Sequence, residues 1–345
     1  MNGKVTMYTI AKEVGMSIAA VSRAFDPNSC LKPEKREFIL ETAKRLGYVQ
    51  NRMASRLSSD PIRISVQIYG QVKAYYSILE RGINEAYRSL MDYKVELDLH
   101  VIDRTFADED GVISVIDGFS KGNADGVIVS GGFGDKARGR LNKLFDGGTS
   151  LGLLGGETID CRRNFVSMND TTTTGRLAAD FLSLTVKGKD RRVAVFVDRK
   201  DSPAQNEILR AFLESAETVS LNVTDVFETE NREDTANSQM CELLSREELP
   251  DGIYCTSANS VPLCRAIGEK NAEGKFIFLA SDVFSELDRY LDSGVVSATI
   301  YQDPLFQARK AFETMFLKLS EGIEPPEFIR ATPQLVLRSN RGLYL

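Results

Sequence analysis

The sequence predicts an α/β fold in two parts: a small N-terminal head of three helices, followed by a two-lobed body built on parallel sheets. Two observations predict it. The first fifty residues show three helical segments separated by Gly and Pro. From residue 62 onward, short apolar segments alternate with amphipathic ones, which is the pattern of parallel strands covered by helices. A chain of 345 residues is long enough for two or three domains.

The first two predicted helices are separated by a very short turn. Thr6 is suited to cap a helix over Met7–Val14, and Gly15 ends that helix. Ser17 then caps a second helix over 18–25. This spacing predicts a helix-turn-helix.

A third predicted helix completes the head. It begins at Pro33, a favoured residue in a first helical turn, and ends at Gly47. The apolar residues predicted to point inward are Phe38, Ile39, Ala43 and Leu46. Any small three-helix bundle is the alternative interpretation, because Ala, Gly turns and apolar faces are common to all of them.

Charge is distributed unevenly along the chain. Residues 1–60 contain ten Lys or Arg and six Asp or Glu, which gives them a net charge of +4. Because the whole chain has a net charge of −6, residues 61–345 carry a net charge of −10. A basic head on an acidic body indicates that the head binds a polyanion. A solvated helical surface is the alternative. The second helix offers Arg23 to read guanine and Ile18 to contact a thymine methyl group in a major groove.

The alternation in the body is regular. The predicted strands are 62–69, 95–101, 126–130, 151–154, 192–197, 222–227, 252–255 and 276–280. The predicted helices are 75–91, 112–121, 172–186, 204–217, 234–246 and 261–270. This length is too great for one sheet, which predicts two lobes with a ligand cleft at the carboxyl ends of the strands.

Several chemistries are disfavoured by what the sequence contains. The single histidine, His100, lies in a predicted strand, and the segment GGFGDKARG has neither the P-loop nor the dinucleotide-binding order. The cysteines are scattered and never spaced C-x-x-C, which suggests free thiols and neither a disulfide framework nor a zinc site. They are Cys30, Cys161, Cys241, Cys255 and Cys264. We expect no enzyme, no cofactor and no metal.

The sequence also predicts a location. No apolar run approaches the roughly 18 residues of a membrane span, and residues 1–16 lack the apolar core of a secretory signal. We therefore expect a cytoplasmic protein without membrane contact.

The head carries a specific resemblance. The segments VTMYTIAKEVGMSIAAVSRAFD and RLGYVQNRMASRLSS resemble the N-terminal domain of the lactose and galactose repressor (LacI/GalR) family of transcriptional regulators. The resemblance implies a helix-turn-helix DNA-binding domain over 1–50, a hinge helix and linker over 51–61, and an effector-binding and dimerisation domain over 62–345. It implies a minor-groove wedge at Leu57, for which a linker leucine packed on its own body is the alternative. The predicted DNA-binding residues are Thr6, Tyr8, Ser17, Ile18, Ala19, Ser22, Arg23, Asn51, Arg52, Ala54 and Leu57.

The resemblance extends into the body. The segments VSMNDTTTTGRLAADFL and ASDVFSELDRYLDSGVVSATIYQDPLFQ are similar to this family and to ribose-type periplasmic binding proteins. It implies one lobe over about 62–165 with 302–328 and another over 166–301 with 329–345. It also implies that Asp282 and Gln302 bind the effector.

A carboxylate and an amide suit the vicinal hydroxyls of a sugar. The alternative for Asp282 is the N-cap of a helix that begins at Val283. The further candidates for effector binding are Asn259, for which Ala258 fits equally well, and Tyr69, Tyr75 and Tyr76, which either stack on a sugar ring or pack in the core.

Two departures from the family pattern put the usual ligand in question. Ile208 stands where the family has a ligand-binding arginine, and Gly155 and Gly156 replace an acidic residue.

Together these observations predict a ligand-responsive, sequence-specific DNA-binding regulator. We expect a homodimer on a palindromic operator, since paired heads read half-sites one helical turn apart. The resemblance favours a repressor of carbohydrate uptake or catabolism genes with a sugar or sugar derivative as effector, associated with the bacterial nucleoid when bound to DNA. The alternatives are a purine-type regulator that depends on a corepressor, and a small-molecule binding protein or enzyme without a DNA function.

Overall fold

A computed structural model describes residues 5–25, 29, 31–48, 60–70, 72–103, 109–130, 135–155, 161–230 and 232–344. The chain divides into two compact units, Met1–Asp60 and Pro61–Leu345, hereafter the head and the body. The predicted hinge residues 51–59 lie outside the described residues.

Three helices form the described part of the head. They are α1 (Met7–Val14), α2 (Ile18–Ala24) and α3 (Pro33–Arg45). At the start of α1, Thr6 and Thr9 form a reciprocal capping box, each side chain accepting from the other's backbone N–H at 3.3 and 3.2 Å. Gly15 ends the helix in the left-handed region, with φ of 63°.

The core of the head is small and apolar. Its buried side chains are Ile10, Ala11, Val21, Ala24, Ile39 and Ala43. The prediction for Phe38 is wrong: this side chain is 51% exposed. Ile39 and Ala43, four residues apart, occupy the inward face of α3, and Phe38 lies about 100° around the helix from Ile39.

The body contains two six-stranded sheets. In chain order the strands are β1 (Ile62–Gly70), β2 (Val95–Asp103), β3 (Gly126–Ser130), β4 (Ser150–Leu154), β5 (Phe165–Asn169), β6 (Arg192–Val197), β7 (Asn222–Glu228), β8 (Gly252–Cys255), β9 (Ile277–Ser281), β10 (Ala298–Tyr301), β11 (Phe328–Ala331) and β12 (Gln334–Val336). The first sheet has the order β11-β5-β4-β3-β1-β2, and the second β12-β10-β9-β8-β6-β7. Among the described residues, neighbouring strands pair in parallel, except that β10 and β12 are antiparallel.

Helices cover both sheets. They are α4 (Lys73–Leu90), α5 (Glu109–Lys121), α6 (Asp135–Asp146), α7 (Thr171–Thr185), α8 (Pro203–Thr218), α9 (Glu233–Leu244), α10 (Ser260–Glu269), α11 (Ser285–Ser293) and α12 (Pro304–Glu321). Helices α4 and α12 pack closely, because Gly82 of α4 has no side chain where a Cβ would lie 2.7 Å from that of Ala308. Both helices contribute to the apolar core beside the first sheet.

The chain crosses between the sheets three times, after β5, β10 and β11. The lobe boundaries therefore differ by a few residues from the expected ones. Residues 166–169 complete β5, which pairs with β4 and β11 in the first sheet, and residues 329–331 complete β11 beside it. Backbone pairing continues to the end of each strand, so the crossover begins only after Asn169.

Candidate functional site

The predicted DNA-binding side chains of α1 and α2 lie on the surface of the head. Those that the structure describes are all exposed: Thr6, Tyr8, Ser17, Ile18, Ala19, Ser22 and Arg23. Two are large apolar side chains that water does not favour, Tyr8 at 66% exposure and Ile18 at 50%. Exposed apolar groups beside polar ones are typical of a contact surface.

Local hydrogen bonds hold the start of α2 and the side chain of Arg23. The Ser17 hydroxyl accepts from the Ala20 backbone N–H at 3.2 Å and so caps the helix. The Arg23 Nε donates to the Ala19 carbonyl at 3.2 Å. A guanidinium has five donors, so this bond leaves the Arg23 fork with donors for a further partner. The other predicted contacts, Asn51, Arg52, Ala54 and Leu57, lie outside the described residues.

In the body, Asp282 and Gln302 come together at the carboxyl ends of β9 and β10. The Asp282 carboxylate accepts from the Gln302 backbone N–H at 3.0 Å and from its Nε2 at 3.3 Å. Asp282 has φ of 62°, an uncommon conformation for a residue with a side chain, and is 1% exposed.

The surroundings of Asp282 change its acidity. Burial raises the pKa of this carboxyl from the ordinary 3.8 to about 7, and the neighbouring Asp303 adds to the rise while the Gln302 N–H opposes it. Asp282 does not cap a helix: α11 begins at Ser285 after Phe284. The cap interpretation is therefore wrong, because the chain turns for two further residues before the helix starts.

Tyr75, on α4 of the first lobe, lies close to Asp282 and Tyr301 of the second lobe. Its hydroxyl lies 3.9 Å from the position of a Cβ on Gly155, at the end of β4. Burial raises the pKa of the Tyr75 phenol, and Asp282 and Tyr301 of the second lobe raise it further. The same helix turn carries Ala74 and Ile78, which pack against the apolar core of the second lobe. The start of α4 thus contacts both lobes.

The other candidates are placed differently. Tyr76 is buried in the core beside the first sheet, which supports packing as its role. The Asn259 Nδ2 donates to the Arg232 carbonyl at 3.3 Å, so this amide connects the start of α10 to the start of α9. Tyr69 lies in β1, and its side chain is outside the described part of the structure.

Three further polar side chains at this edge were not predicted. The Tyr301 hydroxyl donates to the Asp303 carboxylate at 3.1 Å, and burial raises the pKa of Tyr301. Gln307, in the first turns of α12, donates from Nε2 to the Gln302 carbonyl at 2.8 Å. Gln307 follows Gln302 by five residues in the sequence and lies on α12, which is not among the predicted helices.

The two departures from the family pattern also have structural consequences. Ile208 is buried in the apolar core between α8 and the second sheet, so it offers no polar group. Gly155 has φ of 84°, a conformation that favours glycine. Gly156 lies outside the described residues.

Within the described residues, no helix is both long and apolar enough to cross a bilayer. Among the same residues, no group of three or more His, Cys, Asp or Glu is placed to hold a metal ion. The cysteines that the structure describes, Cys161, Cys241, Cys255 and Cys264, form no disulfide with one another.

Comparison with solved structures gives the same architecture. The sugar-binding protein of a sugar ABC transporter from Bacillus halodurans superimposes with a TM-score of 0.72 at 19% identity, covering 82% of this chain and all of that one. An ABC transporter solute binding protein from Burkholderia graminis in complex with D-arabinose gives 0.73 at 16% identity, covering 82% of this chain and 98% of the other. At such identities the likeness shows the fold.

Curated relatives are regulators. Catabolite control protein A of Streptococcus mutans is 30% identical over 188 residues, covering 54% of this chain and 53% of that protein, and the match to the Priestia megaterium protein of the same name covers 37% of each. The chain thus matches about half or less of these two relatives. HTH-type transcriptional regulator pepR1 of Lactobacillus delbrueckii is 24% identical over 78% of both chains.

The body also matches a family as a whole. Residues 64–322 match the family described as Periplasmic binding protein domain, over β1 to the end of α12. This range contains most of β1, all of β2 to β10 and the Asp282–Gln302 pair, and it makes up most of the chain, while β11 and β12 follow it. The chain therefore belongs to the periplasmic binding protein domain family.

Proposed function

We propose that the chain is a carbohydrate-responsive DNA-binding regulator of the LacI/GalR type, which binds a palindromic operator as a homodimer and represses genes of carbohydrate uptake or catabolism. The observation that carries the proposal is the surface of α1 and α2. Two capped helices joined at Gly15 expose Tyr8, Ile18 and Arg23 on a head with net positive charge.

The relatives support the same function. Their names describe catabolite control and helix-turn-helix transcriptional regulation. The fold of the body, shared with sugar-binding proteins, supports a sugar or sugar derivative as effector.

In the proposed complex α2 enters the major groove. Arg23 reads guanine through its free donors, and Ile18 contacts thymine methyl groups. The exposed Lys12, Lys32 and Lys35 of the head contact phosphates, which positions the head without reading sequence. The 51–59 segment with Leu57 serves as the hinge that kinks DNA at the dyad.

The effector acts through the two lobes. A ligand held by Asp282 and Gln302 of the second lobe and by Tyr75 of the first would favour one arrangement of the lobes over another. If that arrangement changes the spacing of the paired heads, the ligand changes the operator affinity, and the operator changes the ligand affinity by the same factor.

The test is selection of bound sites from random DNA, followed by anisotropy titration of the selected site and a scrambled one. We expect Arg23→Ala to lower the preference for the selected site by about 10- to 100-fold. Lys44→Ala, an exposed lysine of α3, removes the same charge and is expected to keep that preference. The absence of any preferred sequence would refute the proposal and favour a binding protein or enzyme without a DNA function.

Adding a ligand to the same titration separates the two kinds of regulator. Release of DNA by a sugar supports the inducible repressor. Tighter DNA binding with a purine supports the purine-type regulator that depends on a corepressor.

A further inference from the structure

We propose that the cleft selects a hydroxyl-rich ligand that is uncharged or carries an amino group, and that it rejects phosphorylated and carboxylated sugars. This inference rests on the proposed function and names the chemical class of its effector. The juxtaposition that carries it is a set of buried hydrogen-bond acceptors beside a rim of carboxylates, at the carboxyl edge of the second sheet.

The acceptors belong to Asp282 and Gln307. Each Asp282 oxygen takes one donor from Gln302, at 3.0 and 3.3 Å, and a carboxylate oxygen has room for a second. Gln307 is 1% exposed, and its Oε1 has no hydrogen-bond partner among the residues that the structure describes.

The orientation of the Gln307 amide is determined by its other end. Nε2 donates to the Gln302 carbonyl at 2.8 Å, so exchanging the two amide atoms would place oxygen against oxygen. A buried acceptor without a donor costs free energy, and such an exception in a folded protein calls for a partner. A ligand hydroxyl or ammonium would supply the missing donor, whereas a phosphate dianion would bring further acceptors.

Carboxylates border the same edge where β6 and β7 end. Arg199 follows β6, and its guanidinium is already paired with the Asp201 carboxylate, with Nε to Oδ1 at 2.8 Å. That hydrogen bond, together with the nearby Asp198 and Glu228, raises the pKa of Arg199. Three carboxylates, those of Asp198, Asp201 and Glu228, thus offset the positive charge of Arg199. Lys200 beside it is exposed, where salt screens its charge.

Charge repulsion then gives the selectivity. Above pH 7 the Asp282 carboxyl is ionised, and an anionic group held near it meets a like charge in surroundings that screen weakly. Like-charge contacts of this kind are a common basis for rejecting a wrong partner. An ammonium group or a neutral hydroxyl meets acceptors instead.

The experiment is isothermal titration calorimetry of the full chain at pH 8, where Asp282 is ionised, with three matched sets of probes. The sets are D-glucose, D-glucosamine and D-glucose 6-phosphate; D-galactose, D-galactosamine and D-galactose 6-phosphate; and D-ribose with D-ribose 5-phosphate. In at least one set we expect measurable binding, with a Kd of the phosphate at least about 30-fold higher than that of its unphosphorylated partner.

Two variants test the cause. Asp282→Asn keeps the shape of the side chain and removes its charge. The ratio of the Kd of the phosphorylated sugar to the Kd of the unphosphorylated sugar is therefore expected to fall about tenfold. Glu248→Gln removes an exposed carboxylate that pairs with Arg192 at the opposite edge of the same sheet. In this control the ratio of the two Kd values is expected to stay as in the wild type.

The inference would be overturned if the wild type bound a sugar phosphate as tightly as the matching sugar or more tightly. It would also be overturned if none of the probes in the three sets bound. The wild-type comparison decides the matter even if Asp282→Asn does not fold. Operator binding, measured on the same preparation, keeps the two proposals apart. Retained DNA binding with a preference for phosphates refutes only the ligand class, whereas loss of sequence-specific DNA binding refutes the proposed function.

Discussion

Replacing Asp282 by Asn is expected to remove a large part of the pH dependence of stability. Burial raises the pKa of this carboxyl from 3.8 to about 7 in the folded protein. Between about pH 4 and pH 7 the unfolded chain has the carboxyl ionised, whereas the folded chain holds it protonated. Folding therefore takes up a proton, and stability falls as the pH rises through this window.

The size of the effect follows from the two pKa values. Their difference of about 3 corresponds to roughly 4 kcal/mol, at 1.36 kcal/mol for each pH unit. From pH 5 to pH 7 the free energy of unfolding of the wild type is expected to fall by about 2.3 kcal/mol through this group, and by a few tenths of a kcal/mol more before it levels off near about pH 8. Asp282→Asn lacks this contribution. It also weakens the bond from the Gln302 Nε2, but that loss does not depend on pH.

The assay is urea unfolding of both proteins at pH 5, 6, 7 and 8. The chain has no tryptophan, so circular dichroism supplies the signal, and the body, with both sheets, dominates it. Asp180→Asn, an exposed position on α7, serves as the control and is expected to follow the wild-type profile, because that carboxylate is in water in both states. Parallel pH profiles for the wild type and Asp282→Asn would refute the reasoning.

Three further substitutions test the local geometry by thermal or urea unfolding. Gly155→Ala is expected to cost about 1–2 kcal/mol, because φ of 84° disfavours a side chain, whereas the control Gly139→Ala, in open space on α6, is expected to stabilise by about 0.5–1 kcal/mol; equal effects would contradict this. Gly152→Ala is expected to destabilise by about 1–3 kcal/mol, since the new Cβ would overlap the Phe165 ring, and a neutral result would mean that the ring moves freely. Ser17→Ala is expected to cost the head about 1 kcal/mol by removing the cap of α2, and an unchanged head stability would show that the cap contributes little.

Much of the body was predictable because strand and helix signals are local. The strands over 126–130, 192–197 and 252–255 have the predicted bounds, and the helices begin or end within about two residues of the predicted positions in most cases. Helix α6 (Asp135–Asp146) is not among the predicted helices, and it follows directly on the GGFG segment. Its apolar Ala137, Leu141 and Leu144 nevertheless recur at helical spacing and are buried.

The site was predictable in part. Asp282 and Gln302 were chosen by resemblance, and the structure places their side chains in contact. Tyr75 and Tyr76 were indistinguishable in the sequence, yet one reaches the second lobe and the other packs in the first. Neighbouring residues of a helix point about 100° apart, so which of the two faces the cleft depends on how the helix is seated on the sheet.

The sequence by itself determined the order of elements, the division into a basic head and an acidic body, and the caps at Thr6 and Ser17. These depend on periodicity, composition and contacts over three or four residues. The tertiary structure alone decided that Asp282 is buried and that it accepts hydrogen bonds from a residue twenty positions along the chain. It also decided that Gln307 Oε1 has no hydrogen-bond partner among the described residues. Burial and such distant pairing arise from the packing of two sheets and the helices that cross between them, and no local pattern of residues specifies them.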